Sequence, residues 1–181
     1  MIKKLLIAIF LLSIVFVYGC TGGSSHNPNI QGQAVAGNVG TNLGNLAPDF
    51  TIKTIDGKTV SLSQLTNDKP TVLYFFATWC PHCAKDLSAV SKVYPQYSDK
   101  VNFLAIDLDA KESNSAISNY RQRMNLNNID FAQSDRSILS KYNVVYTTTK
   151  YFIGGDGTIL NKGVGEVDQN TWHQIFQSMS Q

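Results

Sequence analysis

Cys80-Pro81-His82-Cys83 is the stretch of this sequence best suited to chemistry. Two thiols at this spacing can join in a disulfide, and on a helix they stand one turn apart on the same side. The run before them, Thr71-Val72-Leu73-Tyr74-Phe75-Phe76, is almost all apolar, β-branched or aromatic, and reads as a strand buried on both faces. Pro81 suits a helix's first turn, and Leu87, Val90, Val93 and Tyr94 continue an apolar side at spacings of three and four. The pair therefore falls where a core strand gives way to a helix. A sulfur there faces unpaired backbone N–H groups and the positive end of the helix dipole, which favour thiolate over thiol. Cys80, the leading and more exposed sulfur, is expected to attack a disulfide. Cys83 is then expected to resolve the mixed disulfide by attacking Cys80.

Other uses of the pair fit less well. A structural zinc site needs four ligands, there is no second C-x-x-C, and His26, His82 and His173 are not at ligand spacing. A purely structural disulfide closing so small a loop would add little stability. His82, between the sulfurs, is expected to stabilise the thiolate as an imidazolium or hydrogen-bond donor. Asp86 follows Cys83 by three residues and can share its helical side, where a carboxylate would accept the Cys83 proton; the alternative is a solvated acid beside Lys85.

The surrounding elements follow from periodicity. Phe50 to Ile55 alternates, Asp56-Gly57 is a hairpin signal, and Lys58 to Leu62 returns, with a helical turn over Ser63 to Leu65. Val101 to Leu108 reads as a second buried strand, Ser115 to Met124 as a helix and Ser137 to Tyr142 as a short one. Lys150 to Ile153 is a strand, Gly154 to Gly157 a turn, and Thr158 to Lys162 the strand that returns. Trp172, Ile175, Phe176 and Met179 line one face of a C-terminal helix. The pattern predicts an α/β fold: a mixed central sheet with helices on both faces and an N-terminal β-hairpin extension.

The whole chain sets the context. Its 181 residues are 43% hydrophobic and 15% charged, enough for one domain with a core. Without Lys3 and Lys4 its basic and acidic residues are equal in number, which removes the basic stripe that nucleic-acid binding needs. Three cysteines are too few for a disulfide-stapled miniprotein. Lys3-Lys4, the apolar run Leu5–Val17 and Tyr18-Gly19-Cys20 describe a secretory signal. The run is short against the roughly 20 residues of a spanning helix. Cys20 after Gly19 resembles a lipoprotein signal, whose cleavage leaves a lipidated cysteine; an uncleaved anchor is the alternative. Either way the rest of the chain is expected outside the cytoplasm and tethered to a membrane. Residues 21–46, rich in Gly, Ser and Asn and containing a solvated His26, read as a flexible linker, and residues 47–181 as the folded domain.

Ala47-Pro48-Asp49-Phe50, Asp56-Gly57-Lys58 and Phe76-Ala77-Thr78-Trp79-Cys80-Pro81-His82-Cys83 together resemble the thioredoxin-like proteins of the TlpA/ResA type, within the AhpC/TSA-redoxin superfamily. The resemblance implies a thioredoxin fold, thiol–disulfide exchange with exported proteins and with a membrane or extracytoplasmic redox partner, a monomer, and no organic cofactor or metal. Pro81-His82 resembles the dipeptide of DsbA-type oxidases, while tethered TlpA-like proteins are often reductants, so the resemblance points both ways on direction. Tyr74 stands where thioredoxins bury an aspartate, leaving Asp86 or water as the proton acceptor. Relatives carry a cis-proline where Thr148 stands here, and a trans peptide is expected instead. Trp79, Pro81, Thr147 and Thr148 would shape the client surface. The Ala-Pro-Asp-Phe opening is also similar to peroxiredoxins, although these normally carry Thr or Ser where Ala77 precedes Cys80. A copper-delivery module using Cys80 and Cys83 as soft ligands is the other alternative, with relatives that space their cysteines more widely and add a later histidine.

Overall fold

The structure, a computed structural model, describes residues 37–67 and 69–181. The expected signal or anchor with Cys20, and linker residues 21–36 with His26, lie outside the described residues. Strands β1 (Thr51–Lys53) and β2 (Thr59–Ser61) form the expected hairpin, with Gly57 at φ 85° completing its turn. Helix α1 (Leu62–Thr66) starts on Ser61, whose hydroxyl accepts from the Gln64 N–H while the Gln64 side chain returns to the Ser61 N–H.

The central sheet has the order β5-β4-β3-β6-β7. Strands β3 (Thr71–Phe76), β4 (Asn102–Asp107) and β5 (Asp130–Gln133) run parallel, and β6 (Thr149–Ile153) and β7 (Ile159–Gly163) are antiparallel to their neighbours. Helices α2 (Pro81–Val93), α3 (Asn114–Arg123), α4 (Arg136–Lys141) and α5 (Gln169–Met179) complete it. Every residue of β3 is buried. Val72, Tyr74 and Phe76 point into one core with α2, α3 and α5, while Leu73 and Phe75 point into the other with α1, α4 and the hairpin. In the first core Phe103 is ringed by Tyr94, Trp172, Tyr74 and Phe176, with centroids 5.6, 5.8, 5.9 and 6.2 Å away. Such pairs add about 0.5–1.5 kcal/mol each beyond the area they bury. They fix the height of α2 and α5 over the sheet.

Two features differ from the sequence reading. Strand β5 is four residues long and has polar Asp130 and Gln133 at its ends, so neither an alternating nor a continuous apolar pattern marks it. Residues 37–46, expected in the linker, hydrogen-bond into the domain: Gly44 N–H donates to Ile159 O, Ile159 N–H to Asn45 O and Ala47 N–H to Gly157 O, each at 2.9 Å. The hairpin does the same at the other side, its Ile55 N–H donating to Phe131 O at 2.8 Å. Both edge strands of the sheet are thus partly covered.

Candidate active site

Strand β3 ends at Phe76, and Ala77-Thr78-Trp79 lead into α2. Cys80 is the N-cap of α2 with extended backbone (φ −83°, ψ 112°), and Pro81 occupies the first turn. The Cys83 N–H, one of the helix's unpaired donors, points at Cys80 Sγ at 3.1 Å. That arrangement places a backbone N–H and the helix dipole where they stabilise negative charge on this sulfur. Both cysteines are free thiols and both are buried, Cys80 at 3% exposure and Cys83 at 0%, so the expected difference in exposure is small. The chemical difference is larger. Burial, and then its hydrogen bond with Cys80, push the Cys83 thiol up to about 12. Across the site the Cys80 thiol lies 3.4 Å from Thr147 Oγ1, which accepts from it.

Asp86 is neither solvated nor paired with Lys85. It is 1% exposed, on the face of α2 that carries Cys83, Leu87 and Val90 into the core. Its Oδ2 accepts from the Tyr74 hydroxyl at 3.0 Å and pairs with Lys150 Nζ at 2.9 Å. Its Oδ1 accepts from Trp172 Nε1 at 2.5 Å and from the Val167 N–H at 3.3 Å. The same Tyr74 hydroxyl is a neighbour of the Cys83 sulfur in this core. Lys150, 2% exposed on β6 and opposite Tyr74 in the sheet register, also donates to Thr148 O at 2.9 Å and to Gly165 O. Its ammonium stands 5.1 Å from the Tyr74 ring centroid and 5.9 Å from that of Trp172. A buried ion pair is retained only with such complete hydrogen bonding.

The rim is built from loops. No peptide bond among the described residues is cis, and Thr148 takes φ 61°, a left-handed conformation that costs a β-branched residue about 1–2 kcal/mol. Its hydroxyl offsets this by donating to Thr147 O at 2.5 Å and accepting the Gly165 N–H at 3.0 Å. His82 is exposed, and its Nδ1 pairs with Glu166 Oε1 instead of either sulfur; Lys85 Nζ reaches the same oxygen at 3.4 Å. These two partners hold the Glu166 carboxyl below its usual range. Trp79 is 62% exposed and donates from Nε1 to Asp109 Oδ2 at 2.9 Å. Thr78 is fixed by Glu112, which accepts its N–H at 3.1 Å and its hydroxyl at 2.5 Å. Among the described residues, no three of His, Cys, Asp and Glu converge on a point where a metal ion would sit.

The cysteine pair was legible from spacing alone, but Lys150, Trp172, Tyr74 as a polar partner, and Glu166 were not singled out from the sequence. One signal was available. Asp86 falls in the apolar stripe of α2, and Lys150 falls in a strand otherwise made of buried residues. Two opposite charges at positions that must be buried imply that they meet.

Comparison with known proteins agrees with this geometry. Residues 43–162 match the AhpC/TSA family. The thiol-disulfide oxidoreductase ResA of Bacillus cereus is 30% identical over 139 residues, covering 76% of this chain and 79% of that protein. The thioredoxin-like protein YneN of Bacillus subtilis is 29% identical over 175 residues, covering 96% of this chain and 97% of that one. Among solved structures, a secreted Mycobacterium tuberculosis disulfide oxidoreductase homologous to E. coli DsbE superposes with a TM-score of 0.61 at 26% identity, covering 71% of this chain and 95% of that one. With its strand–Cys-x-x-Cys–helix junction intact and the match running through most of the folded part, the chain belongs to the AhpC/TSA family and is one of its thioredoxin-like thiol-disulfide oxidoreductases.

Proposed function

We propose that this enzyme works outside the cytoplasm, tethered to a membrane by its N-terminal segment, and exchanges disulfides with exported proteins through Cys80 and Cys83. The observation that carries the reading is the asymmetry of the two sulfurs. Cys80 receives a helix N–H and lies at the protein surface's inner edge, whereas Cys83 is sealed beneath it as a thiol. Cys80 thiolate attacks a client disulfide, forming one S–S bond as the client's own breaks, and the released client sulfur takes a proton from solvent. Cys83 then attacks Cys80 Sγ, the second client sulfur leaves, and the enzyme is left oxidised. The reverse sequence reduces it. His82, held on Glu166 at the rim, acts on the pair at longer range than a direct hydrogen bond to sulfur. Trp79, Val145, Tyr146 and Val164 are exposed apolar side chains, three of them on the loops that flank Thr147 and Thr148, and suit an unfolded client segment. The location is supported by the secretory pattern of residues 1–20 and by the likeness to a protein described as secreted. Among the described residues no helix is long and apolar enough to cross a membrane. The peroxide-reducing alternative gains nothing from Ala77, which puts a buried methyl where a hydroxyl would be needed.

Cys83→Ser is expected to accumulate client proteins bound covalently through Cys80, released by reductant, while Cys80→Ser accumulates none. Equal trapping by the two variants, read on non-reducing gels, overturns the assignment.

A further inference from the structure

Resolution sets a problem that the site must solve. With burial pushing the Cys83 thiol well above its ordinary range, little of it is present as the nucleophilic thiolate at neutral pH. The proton has to leave during attack, and Cys83 is 0% exposed, so water is not at hand. Of the buried carboxylates on its side of the sheet, Asp86 and Asp107, Asp86 is the one that shares a neighbour, Tyr74, with Cys83. Both Asp86 oxygens are already engaged, by Tyr74, Lys150, Trp172 and Val167. Three of those donors cannot pass a proton along: an ammonium, an indole N–H and an amide N–H have no lone pair with which to receive one. The Tyr74 hydroxyl can both donate and accept: it donates to Asp86 at 3.0 Å and is a neighbour of Cys83 in the same core.

We propose that Tyr74 is the proton relay of the resolving step. As Cys83 Sγ attacks Cys80, the Cys83 proton passes to the Tyr74 oxygen while the Tyr74 hydroxyl proton passes to Asp86 Oδ2. The Cys80–Cys83 bond forms, the Cys80–client bond breaks, and the client thiolate takes its proton from solvent; Asp86 later returns its proton to solvent. The client disulfide is the only oxidant. The two transfers are concerted because Tyr74 does not ionise: burial, and the charges of Asp86 and Cys83, hold its hydroxyl far above the ordinary phenol range. Lys150 makes the relay possible in a buried space. The cluster of Lys150, Asp86, Tyr74 and Cys83 is neutral with the proton on sulfur and equally neutral with it on the carboxyl, so negative charge moves between two sites within one cation's field. The other titratable groups facing the thiol are Cys80 and, from α3, Tyr120, whose buried hydroxyl has no hydrogen-bond partner among the described residues and so leads to no base.

This inference rests on Cys80 attacking and Cys83 resolving, and the test separates the two. The reduced full-length protein, with Cys20→Ser in every sample so that only the pair reacts, is mixed with dithio-bis(nitrobenzoate), whose coloured thiol is released once on attack by Cys80 and again on resolution by Cys83. Tyr74→Phe keeps the ring against Phe103. It is expected to leave the first release within twofold and to slow the second about 100-fold or more at neutral pH. The second release in the variant should rise about tenfold per pH unit, as solvent base takes over, while the wild type varies less. A variant whose second release has the wild-type rate and pH profile overturns the relay, as does equal slowing of both releases. Loss of the second release in the wild type would instead overturn the roles of the cysteines. If the variant does not fold, the wild type alone decides: the second release in mixtures of H2O and D2O should give a bowed proton inventory, and a linear one overturns the proposal.

Discussion

Asp86 and Lys150 are the residues whose energetic stakes are highest. Taking either out of water alone costs several kcal/mol, and each here is compensated by the other and by neutral donors and acceptors on every side. Removing one partner is therefore much worse than never having had the pair. Lys150→Met preserves the apolar stem between Tyr74 and Trp172 but leaves the Asp86 carboxylate without its cation and releases the carbonyls of Thr148 and Gly165. Urea unfolding of the reduced variant at neutral pH should show a loss of about 3–5 kcal/mol. A loss below about 1 kcal/mol would mean that the neutral donors alone satisfy Asp86. The same reasoning explains why the sequence hid this pair while displaying the cysteines. The thiols announce themselves by spacing within one helix turn, whereas Asp86 and Lys150 are brought together from α2 and β6 by the sheet register, which no local pattern records.

At the level of elements, the loop from β4 to α3 holds the approach to Cys80, since Asp109 and Glu112 carry the Trp79 indole and the Thr78 backbone. Asp107, the last residue of β4, lies beneath it. Its Oδ1 accepts the Asp109 N–H at 3.0 Å, but its buried Oδ2 has no hydrogen-bond partner among the described residues and Glu112 stands close by. Burial first, and then the negative charges of Glu112 and Asp109, push this carboxyl up to about 7. The folded state then holds a proton that the unfolded chain, with an ordinary aspartate near 3.8, has already released. Between those two values the native protein binds more protons, so this group's contribution is full below about pH 4, falls as pH rises and is lost above about 7. Asp107→Asn removes the ionisation. It should match the wild type at pH 4 and exceed it by about 1–3 kcal/mol at pH 8 in denaturant unfolding. An equal difference at both pH values would show that Asp107 stays ionised throughout. Elements with strong periodicity were legible in the sequence: β3 to the residue, and α2 and α5 by their apolar faces. Strand β5 was not, because its two inward residues, Phe131 and Ala132, are too few to set a period.

For the molecule as a whole, the α/β architecture followed from the alternation of strands and helices, and the way its sheet ends did not. Edge strands expose a row of unpaired N–H and C=O groups, and this chain covers them with segments of weak sequence character: the hairpin beside β5 and residues 37–46 beside β7. Apolar Val39, Leu43 and Leu46 sit among glycines and asparagines, so composition reads as linker, while the bonds that order the segment come from its backbone and leave no mark on residue type. Besides the two main-chain bonds at Gly44 and Asn45 that removal of residues 37–46 breaks, Lys162 Nζ donates to Thr41 O at 2.8 Å. At about 0.5–1.5 kcal/mol per hydrogen bond, less the entropy regained by freeing the segment, a chain beginning at Ala47 should lose about 2 kcal/mol relative to one beginning at Gly37. For a domain of this size that lowers Tm by several degrees. The rate at which Cys80 attacks a small-molecule disulfide should not change, because the segment lies beside β7 and away from the start of α2. With the β7 edge bared, the shorter chain should also self-associate as concentration rises, visible as a concentration-dependent sedimentation coefficient. Identical melting and sedimentation for the two chains would show that residues 37–46 rest on the domain without holding it together.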